Sequence, residues 1–83
     1  MIELTDRHRA ILLAVGIRGA DETEFGYTRS REFDDLTKNG LVVYWPRYGA
    51  KPRVALVGGR PGAWCLTLEG ATAVDLAPPF RTA

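Results

Sequence analysis

The fold is decided by residues 28–43, TRSREFDDLTKNGLVV, where a helical pattern of residues gives way to a strand pattern. Thr28 or Ser30 supplies a side-chain oxygen that can cap the start of a helix. Phe33 and Leu36 then recur at the spacing of a single helical face, which predicts that both are buried. The stretch therefore predicts a helix over about 29–39.

This helix is predicted to end at Asn39-Gly40, because glycine tolerates the left-handed backbone that closes a helix. Lys38 in the last turn suits the negative end of the helix dipole. The next five residues, LVVYW, are all β-formers, and Pro46 restricts the far end of their strand to a sheet edge. We therefore expect a capped helix that runs through Asn-Gly directly into a β-hairpin.

Upstream, the segment LTDRHRAIL predicts a first helix with Thr5 as its cap. His8 lies on the flank of its apolar face, without a second histidine, cysteine or paired carboxylate at ligand spacing, so a structural role is expected. Between the two helices, residues 21–25 contain few apolar anchors. A short second helix and a loop fit that region equally well.

Downstream, the turn YGAKP at 48–52 leads into a second predicted strand at 53–57. The turn GGRPG at 58–62 then leads into a third predicted strand at 63–67. Thr67 is then placed to cap a last helix over 68–77, which the following Pro-Pro stops. Residues 1–77 are predicted to form a single α+β domain, and residues 78–83 a flexible tail.

The composition is that of an ordinary soluble domain, with 83 residues, 46% of them hydrophobic, and a formal net charge of +1. The charge is uneven, since residues 1–40 carry six basic and eight acidic side chains and the rest carry five and two. The single cysteine, Cys65, cannot form an internal disulfide and is predicted to be buried and inert. Without an N-terminal signal or an apolar run long enough for a membrane span, a cytoplasmic protein is expected.

Three segments in chain order, LTDRHRAIL, FDDLTKNGLV and WCLTLEGATAVDL, resemble the winged helix-turn-helix regulators of the MarR and PadR groups of bacterial DNA-binding proteins. The resemblance covers roughly residues 4–77. It implies a three-helix core, a β-hairpin or three-stranded antiparallel wing sheet, and a C-terminal helix. It also implies a transcriptional regulator that binds double-stranded DNA as a homodimer.

The candidate DNA-binding residues come from the predicted recognition helix, about 29–39, and the predicted basic wing, about 47–60. The whole stretch 36–68 contains no acidic residue, and a basic hairpin with aromatic neighbours can lie along a phosphate backbone. On the helix, the pairs Arg31/Asp35 and Asp34/Lys38 have i,i+4 spacing and are expected to neutralise each other. The start of a recognition helix usually meets the bases. The candidate residues are Arg29, Arg31, Lys38, Arg47, Tyr48, Lys51, Arg53 and Arg60.

A second interpretation is a winged-helix adaptor that binds another protein and not DNA. The near-neutral net charge and the charge-paired helix face favour it. In the last helix, the small residues Gly70, Ala73, Val74 and Ala77 form a second surface, which predicts a homodimer through this helix. No nucleophile–base pair, metal cluster or cofactor loop is recognisable, so no catalytic residue, metal or cofactor is expected and the protein is not predicted to be an enzyme.

Overall fold

The computed structural model describes residues 3–21 and 30–76 of the chain. Their helices and strands form a small α+β fold, as the sequence predicts, with helices packed against a two-stranded antiparallel sheet. The possible second helix at 21–25 lies, after its first residue, outside the described residues. The described elements are α1 (Asp6–Val15), α2 (Arg31–Lys38), β1 (Val42–Trp45), β2 (Ala63–Leu66) and α3 (Leu68–Ala73).

Helix α1 begins where the sequence predicts and ends at Val15. The Thr5 hydroxyl accepts a hydrogen bond from the backbone N–H of His8, and Gly16 closes the helix with a φ of +65°. Both ends therefore follow from local capping chemistry. The side chains that α1 buries are His8, Ile11, Leu12 and Val15.

Helix α2 is capped by Ser30, whose hydroxyl accepts a hydrogen bond from the backbone N–H of Phe33 at 3.1 Å. The two predicted core residues, Phe33 and Leu36, are 3% and 0% exposed. Gly40 follows the helix with a φ of +72°, and the N–H of Leu41 bonds to the Leu36 carbonyl at 2.9 Å. The predicted passage from a capped helix through Asn-Gly into a strand is confirmed.

Strands β1 and β2 pair antiparallel, with Tyr44 opposite Trp64. Side chains that are directly opposite share one face of a sheet, and this face meets the helices, since the Phe33 ring packs edge-on against Trp64 at 4.8 Å. On the far side of β2, Ala20 exchanges two backbone hydrogen bonds with Trp64, of 3.0 and 2.8 Å. Strand β2 therefore lies between β1 and the segment that follows α1.

The strand predicted at 53–57 does not form, so the prediction of a strand there is wrong. Within this segment, only Leu56 makes a bridge, an isolated one to Thr67. Val54 is 48% exposed, so the apolar alternation of the segment does not form a buried face. A physical reason lies in β2, which pairs with β1 on one side and is bridged by Ala20 at Trp64 on the other, so a third strand cannot pair along its whole length.

The connection between β1 and β2 folds back over the outer face of the sheet at Gly58-Gly59. The N–H of Gly59 bonds to the Ile17 carbonyl at 2.7 Å, and a Cβ on Gly59 would collide with the Sγ atom of Cys65. Cys65 is 0% exposed beneath this glycine, as predicted for a buried thiol.

Helix α3 is capped by Thr67 as predicted but is shorter than the predicted 68–77. It ends at Ala73 because Asp75 adopts a left-handed φ of +58° and the N–H of Leu76 bonds back to the Ala71 carbonyl at 2.7 Å. This pattern of bonds is a helix-terminating turn. The predicted end of the helix is therefore wrong.

The orientation of α3 also corrects the surface that was predicted for a partner subunit. Gly70 is buried, and Ala73 and Val74 pack against the hydrophobic core. Ala77, the remaining member of the predicted surface, lies outside the described residues. The small residues therefore fit α3 onto its own domain. The side of α3 that is exposed carries Leu68, Glu69 and Thr72.

Candidate nucleic-acid interface

His8 connects α1 to α2 through a buried polar contact. Its Nδ1 accepts a hydrogen bond from the backbone N–H of Thr5 at 2.9 Å, so Nδ1 carries no proton in this arrangement. The proton of the neutral ring is then on Nε2, which lies 3.1 Å from Oδ2 of Asp35 and donates to it. With its side chain 6% exposed, His8 has the structural role that the sequence predicts.

A second ion pair ties another acidic side chain of α2 to α1. Nε of Arg7 lies 2.7 Å from Oε1 of Glu32. The two acidic side chains nearest α1, Glu32 and Asp35, are therefore neutralised or hydrogen-bonded by α1 and not by α2 itself. Neither is fully exposed on the outer face of α2.

The ion pairs predicted within α2 do not form. Among the described ion pairs, none joins Arg31 to Asp35 or Asp34 to Lys38, and Asp35 contacts His8. Asp34 is exposed, as are the two basic residues at the ends of the helix, Arg31 and Lys38. The prediction of a fully self-paired helix face is therefore wrong, and α2 presents two cations and one anion.

The two ends of α2 lie at opposite ends of the sheet. The last turn of α2 leads straight into the start of β1, through the bond from Leu41 to Leu36. Phe33, in the first turn, contacts Trp64, which pairs with Tyr44 near the end of β1. Helix α2 thus runs opposite to β1, and its first turn lies beside the Trp45 end of the sheet. We call this the wing end of the domain.

Several predicted site residues belong to segments at the wing end. Nζ of Lys51 lies 5.4 Å from the centroid of the Trp45 ring, a cation–π contact. The Arg47 side chain lies against Gly62, in the turn that leads into β2. Tyr48, next along the chain, is 95% exposed. Arg31 at the start of α2 and Arg60, just before the turn into β2, are also exposed at this end.

Two predicted site residues lie at the other end of the domain. Lys38 is in the last turn of α2. Arg53 directly precedes Val54, which lines a surface cleft with Asn39 and Gly40. Lys38 and Val54, the residue after Arg53, therefore lie away from the wing end. The remaining predicted residue, Arg29, lies outside the described residues.

One cation at the wing end was missing from the sequence-based prediction. Arg18 follows α1 and lines an open cleft of about 510 Å³ together with Gly19, Gly59 and Arg60. The cleft exists because Gly59 bonds to Ile17, which joins two segments that are far apart in sequence. No periodicity or spacing in the sequence signals that contact, so nothing in it links Arg18 to Arg60.

The end of the domain opposite the wing end carries an exposed apolar patch. Val54 is 48% and Leu68 43% exposed, and both line one cleft of about 370 Å³. Leu68 also lines a neighbouring groove of about 320 Å³ with Thr72 and Ala73 on the outer side of α3. Such a patch is typical of a protein contact and not of a phosphate contact.

Within residues 3–21 and 30–76, no group of three potential metal ligands comes together. No helix in the same described ranges is long and apolar enough to span a membrane. Comparison with models of known protein families, with curated proteins and with solved structures gives no match.

Proposed function

We propose that the protein is a small winged-helix protein that binds double-stranded DNA and regulates transcription, with α2 as the recognition helix. The β1–β2 connection is the wing. The order of helix, Asn-Gly, strand and returning strand supports this proposal, together with the single bridge from Ala20 to β2. The observation that carries it is the exposure of basic residues on the first turn of α2 and on the wing, where Lys51 lies over Trp45 and Arg47 lies against Gly62.

In this proposal, the basic residues have two kinds of role. Arg31 lies in the first turn of α2, the part of a recognition helix that contacts base edges in the major groove. Its guanidinium can donate two parallel hydrogen bonds to a guanine, which makes it the specificity-determining side chain. Arg47 and Lys51 neutralise backbone phosphates, a contribution that does not depend on sequence. Trp45 holds Lys51 in place through the cation–π contact.

The test compares two double variants that each remove two positive charges. R47Q/K51Q changes the wing end, and R53Q/K38Q is the matched control at the other end of the domain. Duplex affinity is measured over a salt titration for both variants and the wild type. Each lost phosphate contact reduces the log–log salt slope by about 0.9. We expect R47Q/K51Q to reduce the salt slope by roughly the amount for two lost phosphate contacts, whatever the duplex sequence. We expect R53Q/K38Q to leave the slope almost unchanged.

Two results would count against the proposal. Equal effects of the two double variants would mean that net charge, and not the wing end, determines binding. Wild-type binding weaker than about 0.1 mM at low salt, below even usual non-specific affinity, would exclude DNA as the ligand. A change of Arg31 to Ala is expected to reduce discrimination between duplex sequences while leaving folding intact.

The second candidate function is an adaptor that binds another protein. The exposed apolar patch of Val54 and Leu68 favours it, since this patch lies at the end of the domain opposite Arg47 and Lys51. An adaptor is expected to lose its partner on L68S substitution and to keep it in R47Q/K51Q. The DNA-binding protein is expected to show the reverse pattern for duplex binding.

A further inference from the structure

The wing end contains a cleft that brings a residue outside the predicted site next to a predicted site residue. It lies between Arg18, which follows α1, and Arg60, in the wing. We infer that this cleft binds a phosphate group of the DNA backbone, next to the phosphates held by Arg47 and Lys51. The inference rests on the proposed function and adds a contact from outside the recognition helix and the wing.

The two walls of the cleft are held in fixed positions by backbone hydrogen bonds. The N–H of Gly59 bonds to the Ile17 carbonyl at 2.7 Å, which ties the wing to the segment after α1. One residue beyond the cleft, Ala20 is bonded twice to Trp64 of β2. The backbones that carry Arg18 and Arg60 are thus set before any ligand arrives, so binding does not have to order them.

Two glycines, Gly19 and Gly59, line the cleft together with the two arginines. A Cβ on Gly19 would lie 2.7 Å from the carbonyl oxygen of Trp64, and a Cβ on Gly59 would collide with Cys65. Both positions therefore need glycine for the backbone to pack this closely, and the cleft that they line has a volume of about 510 Å³. An arginine in the lining of a cleft suits a phosphate, since the N–H fork of a guanidinium donates two hydrogen bonds to paired oxygens.

The position of the cleft makes it continuous with the wing. Arg60 is followed by Pro61 and Gly62, and the Arg47 side chain lies against Gly62. The described lining of the cleft includes no acidic residue. A duplex strand that follows the wing from Arg47 towards Arg60 then brings a further phosphate to the cleft. Arg60 also contacts another residue of the chain, so Arg18 is the residue to change.

The experiment is a salt titration of duplex binding by the wild type and three variants. R18Q removes the proposed contact, and R18K keeps its charge but loses the fork. R9Q is the charge-matched control, since Arg9 is exposed on α1 and pairs with Asp6 at 3.7 Å. We expect R18Q to flatten the slope by about 0.9, R18K to keep the slope while weakening binding, and R9Q to match the wild type. Thermal unfolding of each variant is measured alongside.

The outcomes separate this inference from the proposed function. If the wild type binds duplex and R18Q behaves like R9Q, the cleft contact is wrong and the proposed function stands. If the wild type does not bind duplex at all, the proposed function fails first. A parallel titration with inorganic phosphate, followed by the NMR signals of Gly19 and Gly59, tests the other source of the group. Saturation by inorganic phosphate without any duplex binding would overturn the assignment to a DNA backbone.

Discussion

Replacing Gly70 by Ala distinguishes an orientation of α3 in which Gly70 is exposed from one in which it is buried. The change in the free energy of unfolding has opposite signs in the two cases. On an exposed helix face, Gly→Ala stabilises a protein by roughly 0.5–1 kcal/mol, because glycine loses more backbone entropy on folding. The structure predicts the opposite, since a Cβ on Gly70 would collide with the carbonyl oxygen of Leu41. This carbonyl also accepts the N–H of Thr67 at 3.2 Å and its hydroxyl at 3.1 Å.

The size of the effect follows from what the new methyl group must displace. Its neighbours are backbone atoms of Leu41, the nearest carbon 3.0 Å away, and backbone cannot rotate aside as a side chain can. Overpacking of this kind costs about 1–3 kcal/mol, and the two bonds to the Leu41 carbonyl weaken as α3 moves away. After subtraction of the helix-propensity gain, overpacking leaves a net loss of up to about 2.5 kcal/mol, to which the weakened bonds add. For a domain of this size, that lowers Tm by about 4–8 °C per kcal/mol.

Urea and thermal denaturation of the wild type, G70A and T72A measure this difference. Thr72 is exposed on the same helix, so T72A improves helix propensity without a collision and is expected to be neutral or slightly stabilising. If G70A were as stable as T72A or more so, Gly70 would lie on the surface. The small residues of α3 would then be free for a partner subunit, as the sequence pattern suggests.

Two further predictions concern the core and the oligomeric state. Phe33→Ala is expected to lower the free energy of unfolding, measured by urea denaturation, by about 3–5 kcal/mol, since the ring is 3% exposed and packs edge-on against Trp64. A loss below about half a kcal/mol, far short of that range, would mean that Phe33 is not in the core and that α2 is rotated. The predicted homodimer through α3 now requires its exposed side, so L68E is expected to sediment as a monomer with cooperative unfolding while the wild type sediments as a dimer. A wild type that is monomeric at high concentration contradicts the homodimer.

The parts of the fold that the sequence predicts well are those that depend on neighbouring residues. The three helix starts follow from Thr5, Ser30 and Thr67, each of which caps a backbone N–H three residues ahead. The passage from α2 to β1 follows from Asn39-Gly40 in the same way. These signals act over one helical turn, so a single sequence contains all the information that determines them.

The parts that the sequence predicts poorly depend on which segment covers which surface. The alternation at 53–57 is real, but a strand also needs a free edge, and Ala20 already bonds to β2 at Trp64. The small residues of α3 appear in the sequence as a contact surface because nothing local indicates that Leu41 approaches Gly70. The sequence does not predict the cleft between Arg18 and Arg60 for the same reason, since its two sides are far apart along the chain.

The charge that α2 presents to a ligand shows why such long-range contacts matter for function. An i,i+4 ion pair on a helix contributes only about 0.2–0.5 kcal/mol, so a better partner elsewhere displaces it easily. For Asp35, this partner is His8, a buried ring that needs an acceptor for its Nε2 proton. For Glu32, it is Arg7, at 2.7 Å. Because α1 takes up both carboxylates, Arg31 at the wing end of α2 has no ion pair among the described residues. The same contacts that pack α1 against α2 thus leave a guanidinium available for a base edge.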